Sequence, residues 1–221
     1  MLRHIARLAA WTATFALLSQ LTACTTAPKI DRTAFQTAKP ASILVLPPVN
    51  DAPDVNATPS VLSHATYPLA EAGYYVTPVT LVTETFRQNG MAIPSDIHDV
   101  PYTKLREIFG ADAALYIKVN RYGTSYMVIS SAAVVQVQAQ LIDLKTGQEL
   151  WKGQASASSE EGGNSGGGLA GMLITAVIKQ VINSTTDASH GVAGVATSRL
   201  LAAGRPNGVL YGPRSPLYGK D

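Results

Sequence analysis

The chain has 221 residues, of which 17 are Lys or Arg, 15 are Asp or Glu and one is Cys, and its formal net charge is +2. This length is enough for one domain of ordinary size with a buried core. The near balance of charge lacks the basic excess that nucleic-acid binding requires, so a nucleic-acid partner is not expected. With a single cysteine, the chain cannot form an internal disulfide or a metal site made of several thiolates.

The start of the chain has the order of an export signal. Arg3 and Arg7 give a basic start, and residues 8–18 are nearly all apolar. This stretch has about the length of a signal-peptide core and is shorter than the ~20 residues that cross a bilayer as a helix. The sequence Leu21-Thr22-Ala23-Cys24 then matches a bacterial lipobox, in which small residues precede a lipidated cysteine. We therefore predict a signal peptide at residues 1–23 and a lipid anchor on Cys24.

Acyl chains on Cys24, such as palmitate, are expected to hold the protein on a membrane, because each buried CH₂ contributes ~0.8 kcal/mol. Thr25 stands where an aspartate would favour the inner membrane, so the periplasmic face of the outer membrane is predicted. Residues 24–41 show no hydrophobic period and are predicted to be a flexible tether. Loss of Arg3 and Arg7 with the signal leaves 15 basic and 15 acidic groups, so the mature chain is formally neutral.

The next part of the chain is predicted to alternate short strands with helices. Apolar and β-branched runs predict strands at residues 42–48, 74–79 and 113–119. Helical patterns cover residues 61–72, 80–88 and 102–109. Pro68 is expected to interrupt the first of these helices, because proline removes a backbone N–H.

Two longer strands are predicted at residues 125–142 and 149–158. Late in the first, Val135, Val137, Ala139 and Leu141 alternate with glutamines, which indicates one face on the core and one toward water. The connection between the two strands is typical of a hairpin turn with Gly147 in the left-handed conformation. These elements predict an α/β (α+β) fold, with helices packed on a mixed sheet of about five strands and further helices after it. A single domain is expected to span residues 42–203.

Four segments carry a family resemblance. They are Ile43-Leu44-Val45-Leu46-Pro47-Pro48, Leu69-Ala70-Glu71-Ala72-Gly73-Tyr74-Tyr75-Val76, Phe109-Gly110-Ala111-Asp112-Ala113-Ala114-Leu115-Tyr116 and Leu141-Ile142-Asp143-Leu144-Lys145-Thr146-Gly147-Gln148-Glu149-Leu150-Trp151. With the lipobox, they resemble a family of bacterial lipoproteins of unknown function typified by a neisserial surface antigen. They are more distantly similar to the periplasmic α/β module shared by the TolB N-terminal domain and the curli-secretion lipoprotein CsgG. The resemblance implies an envelope-associated assembly or transport accessory with no known enzyme activity.

The last third of the chain begins with a glycine-rich stretch, residues 160–168, which is predicted to be a loop. Residues 169–183 follow with apolar side chains at helical spacing, so one side of the predicted helix is strongly apolar. That side either covers the sheet or contacts another subunit or a partner. The second alternative makes an interface of Leu169, Met172, Leu173, Ala176, Val177 and Val181.

A final helix is predicted over residues 187–203, where Gly191 and Gly194 would permit close packing against another element. The tail, residues 204–221, is rich in turn-forming residues but keeps Leu and Tyr at intervals. It either wraps its own domain or docks on a neighbouring molecule as an extended arm.

The histidines give no sign of a catalytic or metal site. His64, His98 and His190 lie far apart in the sequence, without metal-ligand spacing. Asp96, His98 and Asp99 form the densest polar cluster, and its pattern is typical of a solvated loop at a helix start. We therefore predict no metal, no cofactor, no small-molecule substrate and no catalytic residues.

Three functions from different classes remain open. The favoured one is a non-enzymatic structural or docking component of an envelope export or assembly system, acting as a homo-oligomer or with partner envelope lipoproteins. The second is an oligomeric secretion-channel subunit similar to CsgG, which needs two amphipathic strand segments per subunit; residues 125–142 are long enough for one. The third is an uncharacterised hydrolase using Ser165 or His98, although the glycine-rich sequence around Ser165 lacks the aspartate of a chymotrypsin-type nucleophile.

Overall fold

The computed structural model describes residues 31–126, 131–161, 187–205 and 207–220. Within the unit Arg32–Asp221, six strands form one sheet. They are β1 (Ser42–Val45), β2 (Val49–Asn50), β3 (Tyr75–Val76), β4 (Ala113–Tyr126), β5 (Ser131–Asp143) and β6 (Glu149–Ser158). The order in the sheet is β3-β1-β4-β5-β6, and β2 pairs with β4 beyond the end of β1.

The sheet combines parallel and antiparallel pairing. β1 runs parallel to β3 and β4, whereas β4, β5 and β6 form an antiparallel meander. Parallel neighbours need long crossovers, and the chain supplies them as helices between β1 and β4. The predicted fold class is thus confirmed, with β2 as one strand more than the sequence indicated.

Helices flank the sheet. They are α1 (Thr33–Ala38), α2 (Ala57–Glu71), α3 (Val79–Gln88), α4 (Pro94–His98), α5 (Tyr102–Phe109) and α6 (Ala188–Leu201). The sequence predicted α2, α3, α5 and α6 but not α1, which lies in the segment expected to be a tether. Phe35 of α1 is only 3% exposed and packs into the core, so the described fold includes this helix.

The strand β1 is buried on both faces, as its apolar run predicted. Ile43 and Val45 lie in a core with side chains of α2 and α6. Leu44 and Leu46 lie in a second core with side chains of α3, α4 and α5. Successive residues of a strand point to opposite faces, so one short run contributes to both cores.

Helix α2 continues through Pro68, so the predicted interruption is wrong. A proline inside a helix costs about 3 kcal/mol, because the carbonyl four residues earlier loses its partner. Val61, Ala65 and Leu69 are fully buried before and after the proline, and burial of this face offsets that cost. The helix ends at Glu71, and Gly73, two residues later, has a φ of 97°.

The predicted strand over residues 125–142 corresponds to β5 but begins too early, because residues 125 and 126 belong to β4. β4 ends at Tyr126, β5 begins at Ser131, and the two pair antiparallel. The sequence from 126 to 131 contains no glycine, proline, asparagine or aspartate, so the usual turn signals are missing there. The alternation in β5 is confirmed, since Val135 and Val137 are fully buried while neighbouring glutamines face outward.

The hairpin between β5 and β6 has the predicted form. The two strands pair antiparallel, with a register shift between Leu141 and Ile142. The Oδ2 of Asp143 accepts a hydrogen bond from the backbone N–H of Thr146 at 3.0 Å, and Gly147 has a φ of 78°. The side chain of Asp143 therefore holds the turn closed.

The C-terminal tail wraps its own domain. Val209 and Leu210 are buried in the same core as the inner sides of α2 and α6. The hydroxyl of Tyr74 donates to the carbonyl oxygen of Leu210 at 2.6 Å. The backbone N–H of Gly212 donates to the carbonyl oxygen of Ala72 at 2.7 Å. Of the two alternatives for the tail, residues 207–220 thus adopt the first.

Candidate functional site

The residues to which the sequence analysis assigned a function lie mostly outside the described residues. These are Cys24, Ser165 and the apolar residues of the predicted helix 169–183, all of which stay predictions. In the described ranges, no three His, Cys, Asp or Glu side chains come close enough to hold a metal ion. No helix in these ranges combines the length and the apolar character needed to cross a membrane.

His98 joins α4 to the segment that follows β1. Its Nε2 lies 2.9 Å from the carbonyl oxygen of Pro47, and its ring meets Tyr116 edge-on at a centroid distance of 5.1 Å. Burial lowers the pKa of His98, because a charged ring is poorly solvated there. These contacts explain the histidine as part of the packing and give no support to the hydrolase hypothesis.

A second histidine site lies between α2 and α6 and was missed by the sequence analysis. The ring centroids of His64 and His190 are 4.4 Å apart, with the ring planes tilted by 39°. Ser60, one helical turn before His64, has its Oγ 2.8 Å from Nδ1 of His190. A Cβ at Gly194 would lie 3.1 Å from the His64 ring, so the glycine allows the two helices to approach. This glycine was the one sequence signal of the contact.

The electrostatics of the pair favour the neutral form of His64. Burial lowers the pKa of His64, and the charge of His190 lowers it further, whereas a backbone hydrogen bond to His190 acts in the opposite direction. The Nε2 of His64 is buried and has no hydrogen-bond partner among the described residues. A proton on His64 would therefore place a positive charge inside the contact between α2 and α6.

The pair does not have the geometry of a hydrolytic triad. The Oδ1 of Asp187 accepts hydrogen bonds from the backbone N–H of Ser189 at 2.9 Å, and its Oδ2 accepts one from the Tyr122 hydroxyl at 3.3 Å. The carboxylate thus caps α6. Ser60 is only 5% exposed, whereas a nucleophile must be reached by its substrate. The geometry of the site therefore does not support acyl transfer.

A groove of about 260 Å³ lies between α1 and the C-terminal tail. It is lined by Phe35, Gln36, Lys39, Pro40, Tyr74, Leu210, Tyr211, Tyr218 and Gly219. Beside it, the guanidinium of Arg214 lies 5.5 Å from the ring centre of Tyr75. This end of the fold therefore combines aromatic and basic side chains at its surface.

Comparison with known proteins identifies the family. The family model described as "Putative lipoprotein GNA1162-like" matches residues 30–214. This match covers most of the chain, from within the predicted tether to the C-terminal tail. The chain belongs to the GNA1162-like family. The resemblance seen in the four sequence segments is thereby confirmed.

Two relatives of the GNA1162-like chain come from Neisseria meningitidis. The lipoprotein NMB1124/NMB1162 of serogroup B is 50% identical over 188 residues, which are 85% of this chain and 87% of the relative. The crystal structure of lipoprotein GNA1162 is 53% identical and has a TM-score of 0.54, covering 66% of this chain and all of that chain. TolB from Acinetobacter baumannii is also similar, at 13% identity and a TM-score of 0.28, over 52% of this chain and 22% of that chain.

Proposed function

We propose that this GNA1162-like protein is lipidated on Cys24 and anchored to the periplasmic face of the outer membrane. There it acts as a non-enzymatic structural or docking component of an envelope export or assembly system. The observation that carries the proposal is the lipobox Leu21-Thr22-Ala23-Cys24 in a chain whose family consists of lipoproteins.

Lipidation is tested by labelling cells that express the full chain with radioactive palmitate. The wild-type protein is expected to take up label and to lose residues 1–23. Cys24→Ser removes the acceptor thiol, so this variant should carry no label and should keep its signal peptide. Thr25→Ser leaves the thiol in place and serves as the control. An unlabelled wild-type chain, or a labelled Cys24→Ser variant, would contradict the proposal.

The choice of membrane is tested by the residue after the cysteine. Separation of inner and outer membranes should place the wild-type protein in the outer fraction. Thr25→Asp supplies the aspartate associated with inner-membrane retention and should move the protein to the inner fraction, whereas Thr25→Asn should not. The same distribution for all three proteins would show that sorting does not follow this residue.

The apolar side of residues 169–183 is proposed as a subunit interface, with Leu173 and Val177 one helical turn apart. Light scattering on the mature chain should give a discrete oligomer that becomes a folded monomer in the double variant Leu173→Gln/Val177→Gln. Lys179→Gln, on a polar position of the same segment, should leave the oligomer intact. Loss of the circular dichroism signal of the fold in the double variant would instead assign these residues to the core and overturn the interface.

A further inference from the structure

One end of the fold has a surface that is both basic and apolar. We define the tail face as Lys39, Arg214, Leu217, Tyr218 and Lys220. Lys39 and Tyr218 line the same groove, and Leu217 and Tyr218 are each 42% exposed. Lys39, Arg214 and Lys220 are also exposed. The tail face therefore presents cations around an aliphatic and an aromatic side chain.

Among the described residues, Lys39, Arg214 and Lys220 form no ion pair. Ion pairs are made instead by the basic residues Arg87, Lys104, Lys118, Lys152 and Arg199. Residues 33–40 and 204–220 contain no Asp or Glu, and Asp221 follows directly after them. The nearby carboxylate of Asp112 accepts hydrogen bonds at the start of β1. No described carboxylate therefore forms an ion pair with the three cations of the tail face, and their charge can attract an external anion.

The tail face also lies near the start of the described fold. Thr33, the first residue of α1, is nine positions after Cys24 in the sequence. An extended chain spans at most about 3.6 Å per residue, so α1 lies within about 32 Å of the cysteine. Lys39 directly follows α1 and lines the groove beside the tail. A lipid anchor on Cys24 would therefore keep this end of the fold close to the head groups.

We propose that the tail face binds anionic phospholipid head groups of the membrane that holds the protein. This inference rests on the proposed lipidation of Cys24. Lys39, Arg214 and Lys220 are attracted to the negative surface, and Tyr218 has the ring and hydroxyl that suit the interface between water and lipid. An acyl anchor combined with a basic patch fixes the orientation of the domain as well as its attachment.

The test uses the full lipidated chain with Tyr218→Trp as a fluorescent probe, reconstituted into vesicles that contain a head-group-level doxyl quencher. The vesicles are made of phosphatidylcholine alone or of phosphatidylcholine and phosphatidylglycerol in equal amounts. We expect strong quenching of the indole only in the vesicles that contain phosphatidylglycerol. Each cation should raise the equilibrium constant for contact with an anionic surface about fivefold. The same reconstituted chain without Tyr218→Trp gives the background from the native tryptophan Trp151, which is buried and only 6% exposed.

The decisive variant carries Lys39→Gln, Arg214→Gln and Lys220→Gln in addition to Tyr218→Trp. It should lower the equilibrium constant for contact between the tail face and the anionic vesicle surface about hundredfold. The matched control adds Arg87→Gln, Lys104→Gln and Lys152→Gln, which removes the same charge elsewhere and should keep the quenching. Equal quenching in both lipid mixtures, or equal loss in both triple variants, would overturn the tail face as a lipid site. Mass spectrometry of the same samples reads the acyl chains on Cys24, so failure of lipidation is seen separately from failure of the tail face.

Discussion

The substitution Gly73→Ala tests whether the C-terminal tail is an integral part of the fold. Gly73 follows α2 with a φ of 97°, and the tail passes directly over it. A Cβ at this position would lie 2.9 Å from the carbonyl oxygen of Gly212 and 2.8 Å from the Cβ of Ser215, and would also meet the Ser215 backbone nitrogen. Because two of these neighbours are backbone atoms, no side-chain rotation relieves the clash, and the tail has to move.

The expected loss of stability follows from what the tail buries. Val209 is 1% exposed and Leu210 is 6% exposed, and full exposure of each costs about 1.5–3 kcal/mol. The left-handed conformation costs an alanine about 1–2 kcal/mol more. Complete displacement of the tail should therefore lower the free energy of unfolding by about 4–8 kcal/mol, and the Tm by at least ~10 °C.

Gly90→Ala is the matched control for this prediction. Gly90 also follows a helix and has a φ of 79°, but a Cβ there would meet nothing within 4 Å. The free energy of unfolding of Gly90→Ala should therefore fall by only ~1–2 kcal/mol, the cost of placing an alanine in the left-handed conformation. Urea and thermal unfolding of the mature chain measure both variants. Equal losses for Gly73→Ala and Gly90→Ala would refute the stabilising role of the tail.

Three further changes probe other contacts by unfolding. Asp112→Ala should lower the free energy of unfolding by ~2–4 kcal/mol, because Oδ2 of Asp112 accepts hydrogen bonds from the backbone N–H and the Oγ of Ser42 at 3.0 and 2.9 Å. Asp112→Asn keeps an acceptor oxygen and should lower it clearly less. Trp151→Phe should cost about 1 kcal/mol by losing the Nε1 bond to the carbonyl of Asn207, and no change would argue against that bond. Burial depresses the pKa of His64, so the unfolded chain takes up a proton first as the pH drops below 6.5, and the free energy of unfolding falls. His64→Asn should reduce the dependence of the free energy of unfolding on pH in this range. An unchanged pH dependence would exclude His64 as its source.

The parts of the fold that the sequence predicted depend on local patterns. The run Ile43-Leu44-Val45-Leu46 became a strand buried on both faces, because an unbroken apolar run has no side that can face water. Gly147 marked the hairpin because its positive φ is needed inside the turn itself. In both cases the cause of the structure lies within a few residues of the signal.

The parts that the sequence did not predict depend on distant contacts or on missing signals. The continuation of α2 through Pro68 depends on burial against the sheet and α6, which local propensity does not include. The sequence that joins β4 to β5 contains no Gly, Pro, Asn or Asp, so the strongest signals for a break between two strands are missing. The contact of His64 with His190 joins residues from opposite ends of the domain, so no spacing rule could detect it.

The placement of α1 and the tail links the fold to the proposed anchor. Both line one groove, so the beginning and the end of the described fold lie side by side. An anchor attached before α1 therefore also determines where the tail is held, because Gly73, Tyr74 and Leu210 fix the tail on the domain. Displacement of the tail by Gly73→Ala should consequently weaken membrane contact of the tail face while the acyl chains stay in place. Stability and orientation on the membrane would then change through one contact.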